Sequence, residues 1–277
     1  MLDIVVVEYK CLAELERAVM SFAIFEPGAQ VIIVSNSNHG PEIWNRFLQR
    51  HRGRSSISLV CTGENLGYSR AVNIGLTRCR GEAVAVLNPD VELIEPIGER
   101  IKAVFSRQAK MAVFGPMVID EWGNVARSCR KFYTGAYVLG RAFGSLPLES
   151  LRHVARETLM EDVDLSDLSR VDWVSGGAMF VRRVALERAG GMDERFFLYF
   201  EDQDWCRRFW DCGYEVGYDP NVRLIHRAKH AGSEGGIRAL ARAQGRTMLA
   251  SYVKYLWKYR FRQPRVAWEF RQGRFET

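Results

Sequence analysis

The sequence predicts an α/β protein built on a mostly parallel sheet with helices on both faces. Short, continuous apolar runs alternate with segments of helical periodicity through the first 118 residues. Such runs are typical of strands buried on both faces, and their alternation with helices is typical of βαβ units. The 277 residues are 47% hydrophobic and 26% charged, so the chain can bury a large core and is neither disordered nor fibrous.

Each element of the first half is predicted from a local pattern. The first helix repeats Leu12, Leu15 and Val19 at helical spacing, and the Pro27-Gly28 pair marks the loop before the second strand. The buried strands predicted in this half cover 4–7, 31–34, 57–61, 82–87 and 111–118, and the helices cover 12–22, 69–79 and 97–105.

The second half has a less regular pattern. We expect a helical excursion over 141–168, a strand over 171–181 that contains Gly176-Gly177, a helix over 202–211, and short strands over 214–218 and 222–225. A further helix is expected from 236 to about 261, because Pro264 lies just beyond it.

The positive charge is concentrated at the C-terminal end. The net charge is +6, but residues 237–277 carry ten Lys/Arg against two acids, a net of +8, which leaves −2 for the first 236 residues. Aromatic residues interleave with this charge, as in Tyr255, Trp257 and Lys258. This composition favours an anionic membrane surface. A helix packed on the protein's own body or on another protomer is the alternative. Nucleic acid is not expected, because no nucleic-acid motif accompanies the charge.

The compartment is predicted from the N-terminus and the cysteines. The chain enters an apolar strand directly, without a basic leader, and no run reaches the about 20 apolar residues of a membrane-spanning helix. The six cysteines lack CxxC spacing, which predicts free thiols and no zinc site. We therefore expect a cytoplasmic protein, peripheral to the membrane.

Two common types of nucleotide-binding site are not expected, because the sequence lacks their glycine motifs. Glu8, Tyr9, Lys10 and Cys11 follow the first strand, and none of them is glycine. A dinucleotide fold needs GxGxxG there, and no GxxxxGK[ST] phosphate loop occurs in the chain. Dehydrogenase and P-loop functions are therefore not expected.

Two short segments carry candidate chemistry. Asn88-Pro89-Asp90 ends a buried strand, where an acid can bind a divalent cation, although such a tripeptide is also an ordinary turn. Farther on, a run of aromatics over 196–200 leads into Glu201 and Asp202. Aromatic walls bind sugars and raise the pKa of nearby carboxyl groups, which suits a general base. The alternative is that these acids only cap a helix.

The order of eight segments resembles the inverting glycosyltransferases of family 2, in particular their bacterial rhamnosyltransferase-like branch. The segments cover nearly the whole chain, from about 2 to 260. They are IVVVEY, VIIVSNSN, ENLGYSRAVNIGL (64–76), AVLNPDVEL (85–93), GPMVIDEWGNVARSCRKF (115–132), VDWVSGGAMFVRR (171–183), GGMDERFFLYFEDQDWCRR (190–208) and LIHRAKHAG (224–232).

The resemblance implies a GT-A fold and a role for each site residue. Asp202 is the expected catalytic base, and Glu201 would contact the acceptor or orient that base. Asp90, together with His226, would bind Mg²⁺ or Mn²⁺; a core histidine is the alternative for His226, and His230 is a weaker candidate. The donor site is expected at Val7, Glu8, Tyr9, Ser35, Asn36, Asn65, Gly67, Arg70, Asn88, Pro89 and Asp90, and the acceptor site at Trp173, Gly176, Gly177, Phe200 and Glu201.

Glu8 and Ser35 depart from the family's pattern, and Asn88 replaces the first acid of its longer DxD metal motif, a replacement that this branch commonly accepts. The family usually has Thr or Ser where Glu8 stands and Asp where Ser35 stands, a position that helps to hold the nucleotide base. The departures leave the nucleotide open but do not touch Asp90 or Asp202.

The resemblance implies a metal-dependent transferase that moves L-rhamnose from dTDP-L-rhamnose to a glycan or lipid-linked acceptor in surface-polysaccharide synthesis. Its donor half would be 1–118, its acceptor and catalytic half 119–235, and 236–277 a basic helical tail. One alternative is a non-catalytic relative that binds nucleotide sugars or glycans. A nucleotidylyltransferase is another, but it would need a glycine-rich basic loop after the first strand.

Overall fold

A computed structural model describes residues 1–135, 137–138, 149–227, 243–260 and 262. In the first half, strands and helices alternate along the chain. They are β1 Leu2–Glu8, α1 Leu12–Phe25, β2 Gln30–Ser35, α2 Pro41–His51, β3 Ser56–Cys61, α3 Tyr68–Leu76, β4 Ala83–Leu87, β5 Val91–Leu93, α4 Gly98–Arg107 and β6 Met111–Ile119. The five predicted strands and three predicted helices of this half are confirmed.

The second half adds four short strands, a fifth short strand that enters the central sheet, one 12-residue strand and four helices among the described residues. They are β7 Val125–Arg127, β8 Cys129–Arg130, α5 Glu149–Thr158, β9 Ser169–Arg170, β10 Trp173–Val174, β11 Ala178–Arg182, α6 Arg183–Ala189, α7 Glu201–Asp211, β12 Glu215–His226 and α8 Ala243–Lys258. The helix predicted over 202–211 is confirmed as α7. His230, Pro264 and most of the predicted tail lie outside the described residues.

One sheet runs through the molecule with the order β3-β2-β1-β4-β11-β6-β12-β5, and β7 and β9 pair at its side. Strands β1 to β4 are mutually parallel, as are β6 and β12. Strand β11 is antiparallel to both of its neighbours, β4 and β6. The sheet is therefore mostly parallel, as predicted, and a strand from the second half lies within it.

The strand predicted over 171–181 is wrong, because the structure divides it. Strand β10 pairs with β8 in a separate two-stranded sheet, whereas β11 enters the central sheet. Ser175, Gly176 and Gly177 form the turn between them, in which the Ala178 amide donates to the Ser175 carbonyl at 3.2 Å. Two adjacent glycines suit a change of direction more than a continuous strand.

Two further differences have local causes. The strands predicted over 214–218 and 222–225 form one strand, β12, whose register with β6 shifts between Asp219 and Arg223; Pro220, which has no amide hydrogen to donate, lies in this irregularity. Helix α2 is absent from the predicted elements, and six of its eleven residues are polar or charged. Its buried face consists of Trp44, Phe47 and His51.

Apolar side chains cover both faces of the sheet. Alternate residues of β1 point to opposite faces, so that Ile4 and Val6 join one buried cluster and Val5 and Val7 join the other. Helices α1 and α4 cover the first face, and α3, α6 and α7 cover the second. Both layers are needed because strands with uninterrupted apolar runs leave neither face for water.

Helix α8 packs on the body of the protein through one face. Tyr252 and Tyr255 are buried, and the ring of Phe200 lies 5.3 and 5.6 Å from their ring centroids. The Ser251 hydroxyl donates to the Leu198 carbonyl at 2.8 Å. This contact agrees with the packed alternative for the tail helix. It also means that removing α8 would expose the segment that leads into Glu201.

The opposite face of α8 remains exposed. Leu249, Val253 and Trp257 stand four residues apart and therefore share one side of the helix. Trp257 keeps 73% of its surface accessible. Across the described residues, none of the helices combines the length and apolar character needed to cross a bilayer.

Buried charges join α8 to α7. Asp204 is fully buried and accepts hydrogen bonds from Arg208 at 2.9 Å, from Tyr259 at 2.8 Å and from the Lys258 ammonium. Lys258 also bonds to Asp193 at 2.7 Å. Asp204 thus connects the start of α7 to the end of α8.

We expect Asp204→Asn to lower the free energy of unfolding by about 3 kcal/mol, because it leaves buried cations without their anionic partner. Urea denaturation measures the change. Asp211→Asn, at the exposed end of the same helix, is the matched control and should change stability by less than about 0.5 kcal/mol. Equal effects of the two substitutions would contradict the role of Asp204.

Candidate active site

A cleft of about 770 Å³ opens at the carboxyl ends of the parallel strands. In open α/β sheets, ligands bind at this edge. Eight of the eleven predicted donor residues line the cleft: Val7, Tyr9, Asn36, Asn65, Gly67, Asn88, Pro89 and Asp90. The side chains that the sequence predicted at separate strand ends therefore meet in one place.

Three predicted donor residues do not line the cleft. Glu8 and Ser35 are fully buried beneath its wall, and they stand opposite each other in the β1–β2 pair. The Ser35 hydroxyl donates to a Glu8 carboxylate oxygen at 2.6 Å, so the two departures from the family pattern share one hydrogen bond. Arg70 lies on the exposed side of α3, 3.4 Å from Glu194. Glu8 and Ser35 therefore bond to each other behind the wall, and Arg70 pairs with Glu194 at the surface.

Asp90, which lines the cleft, lies beside His226, which does not. Strand β12 runs antiparallel to β5 and pairs His226 with Val91, the residue after Asp90. The His226 Nε2 and Asp90 Oδ1 atoms are 3.0 Å apart, and both side chains are partly exposed. The two atoms are thus at hydrogen-bond distance from each other. Neighbouring ligands of an octahedral ion with bonds of about 2.1 Å are also about 3.0 Å apart, so the spacing is compatible with a shared Mg²⁺ or Mn²⁺.

The described residues provide few other ligands at this point. No group of three or more His, Cys, Asp or Glu side chains in the described ranges could hold a metal ion. A hard cation that takes two protein ligands fills its other positions with water and substrate phosphates. Asp90 and His226 therefore fit a cation that arrives with a diphosphate rather than a metal bound by protein alone.

Asp202 lies beside the turn between β10 and β11. Its Oδ2 accepts the Gly176 amide at 2.9 Å, and its Oδ1 accepts the Gln203 amide at 2.8 Å. A Cβ added at Gly176 would lie 3.4 Å from the Cβ of Asp202. A Cβ added at Gly177 would lie 3.4 Å from the side-chain amide nitrogen of Asn88. The predicted glycines therefore bring the backbone close to both Asp202 and the lining of the cleft.

Tyr199 and Phe200, just before α7, have left-handed backbone angles with φ of 68°. Non-glycine residues rarely adopt this conformation, and such strain is concentrated at functional sites. The ring of Phe200 is buried against α8, and the amide of Asp204 donates to the Phe200 carbonyl at 2.9 Å. The packing of Phe200 thus maintains the sharp turn that presents Glu201 and Asp202.

The two carboxyl groups differ in their surroundings. Burial raises the pKa of Glu201 well above its usual value, and the charge of Asp202 adds to the rise. Its Oε2 has no hydrogen-bond partner among the described residues. Burial also raises the pKa of Asp202, although hydrogen bonds from the Gly176 and Gln203 amides oppose the rise. Asp202 is partly exposed whereas Glu201 is buried, and neither is among the residues that line the cleft.

Tyr68 is a site residue that the sequence did not predict. It lines the cleft, and its hydroxyl donates to the Gly176 carbonyl at 2.6 Å. Burial raises its pKa, and the charges of Glu201, Asp202 and Asp90 raise it further. The tyrosine therefore stands among all three acids and joins the cleft to the Gly176 turn. Its place after Gly67 in the predicted donor segment is the signal that could have identified it.

The remaining predicted acceptor residues are buried. Trp173 is 5% exposed and donates its indole N–H to the Lys131 carbonyl at 2.8 Å, and its ring meets Tyr133 edge-on at 5.1 Å. Phe200 is also buried. Both rings support the site from beneath instead of lining it, since each packs into an aromatic core. Phe197 and Leu198 line the cleft from the same aromatic run.

Comparison with known proteins shows the family. The family model Glycosyl transferase family 2 matches residues 3–147. An N-acetylglucosaminyl-diphospho-decaprenol L-rhamnosyltransferase of Mycobacterium tuberculosis is 30% identical over 248 residues, which are 83% of this chain and 77% of the relative. The chain is a family 2 glycosyltransferase. Its similarity to the mycobacterial protein confirms the predicted rhamnosyltransferase-like branch.

Solved structures show the fold of this glycosyltransferase. GalNAc-T7, solved with UDP, GalNAc and Mn²⁺, matches with a TM-score of 0.65 and 16% identity over 94% of this chain. The chain spans 49% of the length of GalNAc-T7. The mannosyltransferase PcManGT from Pyrobaculum calidifontis, in complex with GDP-Man and Mn²⁺, has a TM-score of 0.55 and 15% identity, covering 93% of this chain and 75% of PcManGT. The predicted GT-A fold is confirmed.

We expect the Glu201→Gln variant of the glycosyltransferase to gain stability over the wild type as pH rises. The unfolded chain releases the Glu201 proton near pH 4.3, whereas the folded chain holds it to a higher pH, so ionisation favours unfolding. The stability difference should therefore grow from about pH 4 towards the raised pKa. Urea unfolding over this pH range measures it, and a constant difference would contradict the raised pKa.

Proposed function

We propose that the glycosyltransferase transfers L-rhamnose from dTDP-L-rhamnose to a glycan or lipid-linked acceptor in surface-polysaccharide synthesis. The transfer inverts the configuration of the anomeric carbon. The observation that carries the proposal is the placement of Asp90 in the cleft beside His226 and of Asp202 behind Tyr68. The name of the mycobacterial relative supports both a rhamnosyl donor and a lipid diphosphate acceptor.

In this proposal the donor binds in the 1–118 half and the acceptor in the 119–235 half. The nucleoside would lie along the wall formed by Tyr9, Asn36 and Asn65, and the diphosphate would extend towards Asn88 and Asp90. The acceptor would enter over the Gly176 turn, where the absence of side chains leaves room for a hydroxyl beside Asp202.

Asp202 would act as the general base. An acceptor hydroxyl is a weak nucleophile, and a carboxylate with a raised pKa accepts its proton more readily while the new glycosidic bond forms. The hydrogen bonds from Gly176 and Gln203 hold the carboxylate in one orientation. Attack opposite the departing diphosphate gives inversion in a single displacement.

Asp90 and His226 would hold a divalent cation, Mg²⁺ or Mn²⁺, which when bound neutralises the charge of the departing diphosphate. Asp90 provides the anionic ligand and His226 a neutral nitrogen ligand. The Arg227 amide donates to the Asp90 carbonyl at 2.9 Å, and the Arg227 side chain bonds to Glu92 at 2.8 Å, which hold the chain near the site. The solved neighbours with Mn²⁺ support a metal-dependent reaction.

The exposed face of α8 would lie on an anionic membrane surface. Leu249, Val253 and Trp257 form an apolar stripe, and Lys254 is exposed beside it. Residues 243–262 contain no acid, so this face attracts anionic headgroups while its apolar residues enter the interface. The packed face and the exposed face thus accommodate both interpretations of the tail helix: one side joins the body and the other faces lipid.

We expect Asp202→Asn to lower the transfer rate by 10²–10⁴-fold, the usual contribution of a general base, while nucleotide binding changes little. Steady-state transfer from dTDP-L-rhamnose and calorimetric nucleotide binding measure the two quantities. Glu201→Gln is the matched neighbour and should reduce turnover less, because Glu201 is buried. Normal turnover in Asp202→Asn would show that another group is the base.

We expect Asp90→Asn to weaken Mn²⁺-dependent binding of a nucleoside diphosphate by at least about tenfold, because it removes the anionic ligand. Titration with and without Mn²⁺ separates the metal-dependent part of the affinity. Glu99→Gln, which removes an acid from the exposed start of α4, is the control and should bind as the wild type does. Unchanged Mn²⁺ dependence in Asp90→Asn would mean that the cation is held elsewhere.

We expect replacement of Leu249, Val253 and Trp257 by serine to reduce binding to phosphatidylglycerol vesicles by at least about tenfold, through loss of apolar insertion. Cosedimentation at low and high salt measures it, since salt screens the lysine and arginine contribution. The exposed Ile24→Ser on α1 is the control. Absence of vesicle binding by the wild type at low salt would contradict the membrane surface. The serine replacements leave the packed face of α8 unchanged, whereas truncation before α8 would remove it and disturb the body of the protein.

A further inference from the structure

The carboxylate of Glu8 lies fully buried where β1 ends, behind the wall of the cleft. It accepts hydrogen bonds from the Ser35 hydroxyl at 2.6 Å, the Ser37 hydroxyl at 3.0 Å and the Cys11 amide at 3.0 Å. The His39 Nε2 lies 3.2 Å away as a further partner. A buried carboxylate is tolerated where donors surround it in this way.

The two serines have fixed directions in this network. The Ser37 hydroxyl accepts the Lys10 amide at 2.7 Å, and the Ser35 hydroxyl accepts the Ser37 amide at 3.2 Å. Each hydroxyl hydrogen is therefore available to Glu8, which accepts both. One carboxylate consequently connects the segment that follows β1 with the segment that follows β2.

Asn36 lies between the two serines and points to the other side, into the cleft. Its amide nitrogen donates to the Gly67 carbonyl at 3.1 Å and lies 3.4 Å from the Asn65 side-chain oxygen. Asn65 in turn accepts the Gly67 amide at 3.0 Å. Glu8 therefore secures the backbone on both sides of Asn36, and Asn36 in turn contacts Asn65. Asn36 and Asn65 are here termed the amide wall.

We infer that Glu8 is a positioning residue that sets the affinity and selectivity of the amide wall for the nucleoside part of the donor, without contacting the donor. The inference rests on the proposed function, in which the nucleoside lies along this wall. Side-chain amides offer both hydrogen-bond donors and acceptors to a nucleobase. They select one nucleobase over another only when the orientation of each amide is fixed. Asp202 and the Asp90–His226 pair are held by other contacts, so the chemical step does not depend on Glu8.

The test uses the full chain and three nucleoside diphosphates, UDP, dTDP and GDP, each titrated in the presence of Mn²⁺. In Glu8→Gln, an amide N–H replaces one acceptor oxygen and faces groups that are themselves donors. We expect the dissociation constant of the preferred nucleotide to rise by about tenfold or more and the differences among the three nucleotides to narrow. In transfer assays the donor KM should rise in parallel, and kcat at saturating donor should stay within about twofold.

Two further variants keep the result interpretable. Ser37→Ala removes one donor to Glu8 and the acceptor of the Lys10 amide, and it should show the same change to a smaller degree even if Glu8→Gln does not fold. Asp219→Asn is the matched control. Asp219 is a fully buried carboxylate that bonds to Arg100 at 2.7 Å and does not line the cleft, so the variant should lose stability but keep nucleotide selectivity.

The outcomes separate the inference from the proposed function. If the wild type binds none of the three nucleotides, the proposed donor site is wrong, and the inference is overturned with it. If the wild type binds and the folded Glu8→Gln and Ser37→Ala variants keep its affinity and selectivity, only the inference is wrong. A loss of kcat with unchanged donor KM would also overturn it, because Glu8 would then act on the chemical step.

Discussion

The insertion of β11 between β4 and β6 is the constraint on which the candidate site depends. Because β11 pairs antiparallel with β4, the turn before it lies at the carboxyl end of β4, and the Asn88 amide donates to the Gly177 carbonyl at 2.9 Å. The same turn donates the Gly176 amide to Asp202. A single strand from the second half thus joins the carboxyl end of β4, where Asn88 lines the cleft, to the start of α7.

Aromatic packing supports this arrangement from below. Phe200 occupies a strained backbone conformation, and its burial against Tyr252 and Tyr255 offsets the cost of that strain. Asp204 and Lys258 join the same two helices through buried charges. Helix α8 therefore helps to hold Glu201 and Asp202 in position through one face, while its opposite face stays exposed.

The wall of the cleft illustrates a second use of buried charge. The Glu8 carboxylate accepts hydrogen bonds from residues of the segments that follow β1 and β2 and so joins the two segments. Glu201 is also buried, but one of its carboxylate oxygens lacks a partner in the described part of the chain. Satisfied carboxylates of the first kind rigidify their surroundings, and unsatisfied ones of the second kind bind protons more strongly. Two buried glutamates therefore differ in their effect: Glu8 fixes the position of its neighbours, and Glu201 has a raised pKa. The type of residue alone does not reveal this difference.

The fold class followed from local patterns, because apolar runs and helical periodicity record which faces are buried. Strand-end and helix-start patterns singled out Asp90 and Asp202 as candidate site residues. Tertiary structure alone decided that the run over 171–181 divides between two sheets, that Trp173 and Phe200 support the site from the core, and that Arg70 faces Glu194. It also decided the partnership of Glu8 with Ser35 and the place of Tyr68 among three acids. These outcomes depend on contacts between segments far apart in the chain, whereas local periodicity reports only which residues avoid water.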